Sequence, residues 1–327
     1  MTPLHFDPSG PATSDGIFGL PHSEQEARVV LLPVPWEATT SYRRGTAKGP
    51  KTILEASRQV DLYDHETGRP YEAGIYLLPE DPDIVAWNRE ASELALPIIE
   101  HGGANGDADL LAKLSWVNQI SARTDERIYE RCKGLLDQDK LVGVIGGDHS
   151  TPFGLIRALA ERHQGLGILH IDAHADLREA YEGFDRSHAS IMHNVHEAIP
   201  EIGKIVQFGI RDLCEAEAVM SRQSPRIETF YDADTARRKL EGELFADLAA
   251  EAIAALPSTV YVSFDIDGLD PTLCPTTGTP VPGVLSFHEA CALLRLLAKS
   301  GRTIVGFDLN EVGPGEWDGI VGARMLY

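Results

Sequence analysis

LGILHIDAHAD, residues 166–176, sets a strand-length apolar run directly against Asp172, His174 and Asp176. The run is nearly continuous rather than alternating, which predicts a strand covered on both faces and therefore a parallel sheet. Alternation along an extended backbone would point the three ionisable groups to one side. Such groups cannot be buried together without a compensating partner.

Working outward, seven more runs of the same kind occur: ARVVLLPV (27–34), AGIYLLP (73–79), KLVGVIG (140–146), KIVQFGI (204–210), RIETFYD (226–232), TVYVSFDID (259–267) and TIVGFDLN (303–310). Helix-spaced segments lie between several of them, at 122–137, 151–163 and 286–299, the last with Ser286 as N-cap. Strand–helix alternation over about eight strands predicts one α/β domain across 27–327. Residues 1–26, rich in Pro, Gly, Ser and Asp, are expected to form an irregular arm. The stretch 80–118, with EHGGANGDADL inside it, is too long for a simple connection and reads as a surface insertion or part of a pocket rim.

Composition sets the outer bounds. Hydrophobic residues make up 43% and charged residues 24%, enough for a substantial core. Acidic residues outnumber basic ones 50 to 29, a formal net charge of −21, which argues against a nucleic-acid partner. No apolar run reaches membrane-spanning length, and the N-terminus lacks a signal-peptide pattern, so a cytoplasmic location is expected. Cys132, Cys214, Cys274 and Cys291 are scattered without a C-x-x-C pair and read as reduced thiols rather than disulfides or zinc ligands.

In a parallel sheet, ligands gather beyond the C-terminal strand ends. Four runs finish there in acids or histidines: GGDHS (146–150), DAHAD (172–176), DID (265–267) and Asn310-Glu311. Asp265 and Asp267 repeat the carboxylate spacing of DAHAD, and close buried carboxylates need either a proton or a cation. His149 alone would read as structural. Together, four Asp and two His can hold two divalent ions with two carboxylates bridging; carboxylate–imidazole sets suit Mn²⁺, with Fe, Co, Ni or Zn also possible. Such a pair activates water at neutral pH. The residues themselves thus predict a binuclear metal hydrolase.

GGDHS, DAHAD and SFDIDGLDP, in this order and spacing, resemble the ureohydrolase family of arginases, agmatinases and guanidinobutyrases. PVPWEATTSYRRGTAKGPKTIL (33–54), GFDLNEVGP (306–314) and WDGIVGARMLY (317–327) extend the likeness over most of the chain. The resemblance implies a three-layer α/β/α fold around a mostly parallel eight-stranded sheet, and commonly a homotrimer or homohexamer. It also implies that His149, Asp172, Asp176 and Asp265 hold one Mn²⁺. His174, Asp172, Asp265 and Asp267 would hold the other, with Asp172 and Asp265 bridging. Asp176 would orient the attacking water, Glu311 would pair with the substrate guanidinium, and His188 would transfer a proton to the departing amine.

Arginases carry an Asn/Ser-rich loop after this motif that reads free arginine; LREAYEGFDRSHAS (177–190) lacks it and is closer to the agmatinase pattern, with Tyr181, Gly183, Ser187 and His188 in place. Hydrolysis of agmatine to putrescine and urea is therefore the expected reaction. Guanidinobutyrate, free or alkylated guanidine and peptidyl arginine are alternative substrates. Formiminoglutamate is another if Arg178 or Arg186 meets a substrate carboxylate, and a catalytically silent metal-binding or assembly protein is the reading of a different class. Ala189 in SHAS, and Thr276 and Val284 in PTTGTPVPGV (275–284), stand where the family has glycines. His170 reads as a packed or supporting histidine, and His193 and His196, at helical spacing, as structural or pocket-wall residues.

Overall fold

Each expected apolar run forms a strand. In the computed structural model, which describes residues 6–283 and 285–327, these are β1 (Val29–Val34), β2 (Ile75–Leu77), β3 (Leu141–Gly146), β4 (Leu166–Ile171), β5 (Ile202–Ile210), β6 (Ile227–Tyr231), β7 (Thr259–Asp265) and β8 (Thr303–Asn310). The first five residues of the arm and Val284 lie outside the described residues. The strands form one sheet in the order β2-β1-β3-β8-β7-β4-β5-β6, every described pairing parallel.

Continuity of the apolar runs follows from burial on both faces. Val30, Leu32 and Val34 of β1 enter one core while Leu31 enters the other. Along β4, Leu166 and Ile168 face the first core, and Leu169 and Ile171 the second. The first core is closed by α2 (Pro82–Glu100), α3 (Ala108–Leu136), α4 (Phe153–Ala160) and α5 (Ile191–Ala198). The second is closed by α1 (Gly49–Ser57), α8 (Phe245–Ala254), α9 (Phe287–Lys299) and α10 (Glu316–Leu326). α6 (Glu215–Gln223) and α7 (Asp232–Leu240) flank β6 at the sheet edge. Ile17, Phe18 and Leu20 of the arm are buried in the second core.

Two expectations changed. The stretch 80–118, expected as a surface insertion or part of a pocket rim, is helical and packs on the first core: Asp81 caps α2 with Pro82 in its first turn, and Ile84, Ala91, Ala95 and Ile98 form its buried face. α3 starts at Ala108 under an Asp107 cap rather than near 122; exposed Leu111 and Trp116 interrupt the helical spacing of the inward residues Leu110, Leu114 and Val117. That half of α3 braces the loop after DAHAD, with Asn118 Nδ2 donating to Gly183 O at 3.2 Å and its Oδ1 accepting the Asp185 N–H at 3.2 Å. Secondly, DAHAD and DID do not continue their strands to the end. β4 ends at Ile171 and β7 at Asp265; Asp176 takes a left-handed φ of 53°, and Asp267 lies in a single 3-10 turn.

β3 and β4 are consecutive in sequence yet separated in the sheet by β8 and β7. Their helical crossovers therefore diverge, and the C-terminal ends of β3, β8, β7 and β4 frame a crevice.

Candidate metal centre and substrate pocket

The end of β3 and the loop after it approach their neighbours too closely for any side chain on Gly146 or Gly147. A Cβ at Gly146 would lie 1.7 Å from Asn310 Oδ1, and one at Gly147 1.8 Å from Trp36 O. Asp148, fully buried, closes the turn by accepting the Ser150 N–H and hydroxyl on Oδ1. This geometry delivers His149 into the crevice.

His149 Nδ1 lies 2.9 Å from Asp172 Oδ2, 3.2 Å from Asp176 Oδ2 and 3.2 Å from Asp265 Oδ2. Its other nitrogen, Nε2, lies 2.9 Å from Ser263 Oγ, whose hydroxyl donates to Asp308 Oδ1 at 3.2 Å. Ser263 therefore accepts from Nε2–H, which leaves the Nδ1 lone pair facing the three carboxylates. A second group sits beside the first: His174 Nδ1 is 3.1 Å from Asp267 Oδ2 and 3.5 Å from Asp172 Oδ1. Asp172 thus offers one oxygen to each group. Backbone N–H donors fix the carboxylates: His174 N–H to Asp172 Oδ1 at 2.6 Å, Ala173 N–H to Asp267 Oδ1 at 3.2 Å and Asp267 N–H to Asp265 Oδ1 at 2.8 Å. All six residues expected as ligands are gathered here, Asp265 reaching the His149 group through Oδ2.

The electrostatics call for cations. Burial, with Asp267 and Asp172 alongside, raises Asp265 well above the carboxylate range, and burial with Asp172 pushes Asp176 up to about 7. Burial opposes charge on His149 and His174 as well, yet the surrounding carboxylates lift both well above the usual imidazole value. Left to themselves, these groups balance their charge with protons; divalent ions would displace those protons. Donor chemistry, converging atoms and the charge deficit all fit a carboxylate–imidazole metal pair.

Above the centre lies Glu311. Its backbone has a left-handed φ of 61°, held by its N–H to Gly147 O at 2.8 Å and by the Thr277 hydroxyl donating to its carbonyl at 2.7 Å. Oε1 accepts the His149 N–H at 3.0 Å, whereas Oε2 is buried with no hydrogen-bond partner. Burial, then Asp148 and Asp267, raise its carboxyl well above the usual range. A buried carboxylate oxygen kept without a donor is costly, and the cost makes sense when a ligand supplies the donor.

The pocket beside the two His–Asp groups, about 160 Å³, is lined by Ser41, His174, Asp176, Arg178, Tyr181, His188, Ala189, Asp212, Leu213, Glu217 and Thr279. His188 begins a 3-10 turn capped by Ser187, and burial, followed by the positive His174, pushes it down to about 4. Arg178 stands over the Tyr181 ring, 5.0 Å from its centroid. Arg186 turns away to Asp125 Oδ2 at 2.8 Å and cannot meet a substrate. Asp212 and Glu217 were absent from the sequence reading; they enter from the segment after β5, which lacks metal-type spacing. Glu217 Oε1 accepts the Leu177 N–H at 3.0 Å and Oε2 the Cys214 N–H at 2.7 Å.

Of the departures from family glycines, Ala189 lines the pocket, whereas Thr276 is tied back from it. Its hydroxyl donates to Asp318 Oδ1 at 2.6 Å and accepts the Gly315 N–H at 3.0 Å. His196 bonds Ser224 Oγ at 2.8 Å and Glu197 Oε1 at 2.7 Å, away from the centre, and His193 Nδ1 is buried without a partner.

The Arginase family model matches residues 27–318. The chain belongs to the arginase family. It is 31% identical over 300 residues to N(1)-aminopropylagmatine ureohydrolase of Synechocystis, covering 89% of this chain and 83% of that protein. It is 31% identical over 293 residues to an agmatinase of Bacillus cereus, covering 89% and 86%. The fold matches the crystal structure of agmatine ureohydrolase of Thermoplasma volcanium with a TM-score of 0.70 at 22% identity, over 97% of this chain and 92% of that one. Among the described residues, no helix is long and apolar enough to cross a membrane.

Proposed function

We propose that this arginase-family chain is a two-metal ureohydrolase that converts a guanidino compound to urea and an amine, with agmatine as the substrate type. The observation that carries the reading is the partnerless Oε2 of Glu311, buried beside the paired His–Asp groups. A guanidinium offers two parallel N–H donors to a carboxylate; Oε2 of Glu311 is free to accept one, and Oε1 keeps a lone pair beside the bond from the His149 N–H. The names of the Synechocystis and Bacillus relatives support an agmatine-type substrate.

His149, Asp172, Asp176 and Asp265 would hold one ion, and His174, Asp172, Asp265 and Asp267 the other, Mn²⁺ in this proposal. Bound there, the ions supply the Lewis acidity that makes water a nucleophile at neutral pH. Glu311 orients the guanidinium carbon toward the centre. Asp176, held at a left-handed φ, accepts a hydrogen bond from the attacking water and orients it. Addition of water and cleavage of the bond from carbon to the alkyl-bearing nitrogen yield urea and the amine, which must gain a proton. His188, neutral at pH 7, can accept on one ring nitrogen the proton that the attacking water loses and deliver it to that amine.

Urea release from agmatine, aminopropylagmatine, arginine, guanidinobutyrate, guanidine and a peptidyl arginine, assayed with Mn²⁺, Ni²⁺ and Co²⁺, tests the reading. Agmatine-type substrates should lead the panel. No urea from any member with any metal would overturn it.

A further inference from the structure

His170 Nε2 lies 2.8 Å from Asp172 Oδ2, close enough that distance alone groups it with the metal-type donors His149, Asp172 and Asp176. The hydrogen bonds behind it decide otherwise. Gln207, fully buried on β5, donates through Nε2 to Ala175 O at 2.6 Å and contacts His170 Nδ1 with the same nitrogen at 3.0 Å. Its Oε1 accepts the Thr229 hydroxyl at 2.9 Å, and Thr229 is bonded in turn to Ser221 Oγ at 2.7 Å.

These contacts fix the orientation of the Gln207 amide. The Ala175 carbonyl decides it, because reversing the amide would set oxygen against oxygen at 2.6 Å. With the amide so placed, its NH2 group donates to His170 Nδ1, which must therefore carry a lone pair. The proton of the neutral ring resides on Nε2 and points at Asp172. His149 is set the opposite way, with Nε2–H donating to Ser263 and Nδ1 free.

We infer that Gln207 and His170 are positioning residues: Gln207 sets the His170 tautomer, so that His170 donates to the shared carboxylate Asp172 instead of ligating metal. The donation orients Asp172 Oδ2 toward the His149 group while its Oδ1, bonded by the His174 N–H, stays on the other. Supporting contacts of this kind are worth roughly 10–100-fold in metal affinity. The inference rests on the metal-centre part of the proposed function and adds which of the clustered histidines is not a ligand.

Three variants separate donor from ligand. In His170→Gln the side-chain amide places an N–H near the former Nε2, restoring the donor without a ligating imidazole. This variant should keep two metal ions per chain by elemental analysis. His170→Phe, which cannot donate, should lose roughly 10–100-fold in metal affinity in a chelator competition. Gln207→Glu removes the donor to Nδ1 and should cost a comparable factor. In long-range proton–nitrogen NMR spectra of the zinc-loaded, nitrogen-15-labelled protein, His170 should show the Nε2–H pattern, assigned by its absence from His170→Gln. Loss of metal from His170→Gln equal to that from His170→Phe, or an Nε2 resonance without its proton, would overturn the inference. Both readouts are independent of turnover, so a failed guanidine panel would remove the proposed reaction without touching this assignment.

Discussion

Replacing Glu311 by Gln preserves shape and removes one charge. The amide oxygen can keep the bond from the His149 N–H, so the NH2 group takes the place of Oε2, the oxygen that lacks a partner. A guanidinium then meets a donor where it needs an acceptor. Each charge-assisted hydrogen bond lost is worth roughly 1.5–3 kcal/mol, and breaking a buried ion pair roughly 3–5 kcal/mol. At about 1.4 kcal/mol per tenfold, kcat/KM should fall by about 10²–10⁴. Metal content should stay at the parental value, because Glu311 belongs to neither His–Asp group. Without substrate, Glu311→Gln should be no less stable than the parent in thermal unfolding, since burial and the nearby Asp148 and Asp267 already disfavour its charge. Urea assays on agmatine, metal analysis and a melting curve check the three parts. A kcat/KM within tenfold of the parent, or loss of metal, would refute the assignment of Glu311 to the guanidinium.

Asp265→Asn should abolish urea release and lower bound metal, measured by elemental analysis; parental values of both would remove the two-metal assignment. Chelated protein should lose thermal stability as pH rises from about 4 to 8. Asp125, Asp148 and Asp176 are each pushed up to about 7, mainly by burial, so the folded state binds protons more tightly than the unfolded one across that window. Saturating Mn²⁺ should flatten or reverse the slope in the same melts, because metal binds the deprotonated ligands. Arg186→Gln should lower the melting temperature and leave KM unchanged, because Arg186 serves Asp125 and the Phe153 ring rather than the pocket; a raised KM would return it to the substrate.

The sequence by itself determined the eight strands and the pooling of the metal-type residues at one edge. Strand-length apolar runs need cover on both faces, and each chemical motif follows such a run directly, so parallel pairing carries the motifs to the same side. The six His and Asp positions were legible because their spacing has no comfortable buried state without a cation. α2 was not legible as a helix: a small-residue face of Ala91 and Ala95 is enough to bury it, and the glycines after it resemble a loop.

Only the tertiary structure decided how the motifs are used. DAHAD suggested three groups on one side of a strand, but the left-handed turn at Asp176 and the end of β4 distribute them over two groups. Arg178 and Arg186 were equivalent on paper; Asp125, sixty-one residues before Arg186, separates them. The roles of His149 and His170 depend on Ser263, Asp308, Gln207 and Thr229, brought together from β7, β8, β5 and β6. A local pattern can place an imidazole near a metal, but which nitrogen holds the proton is set by partners that only folding delivers.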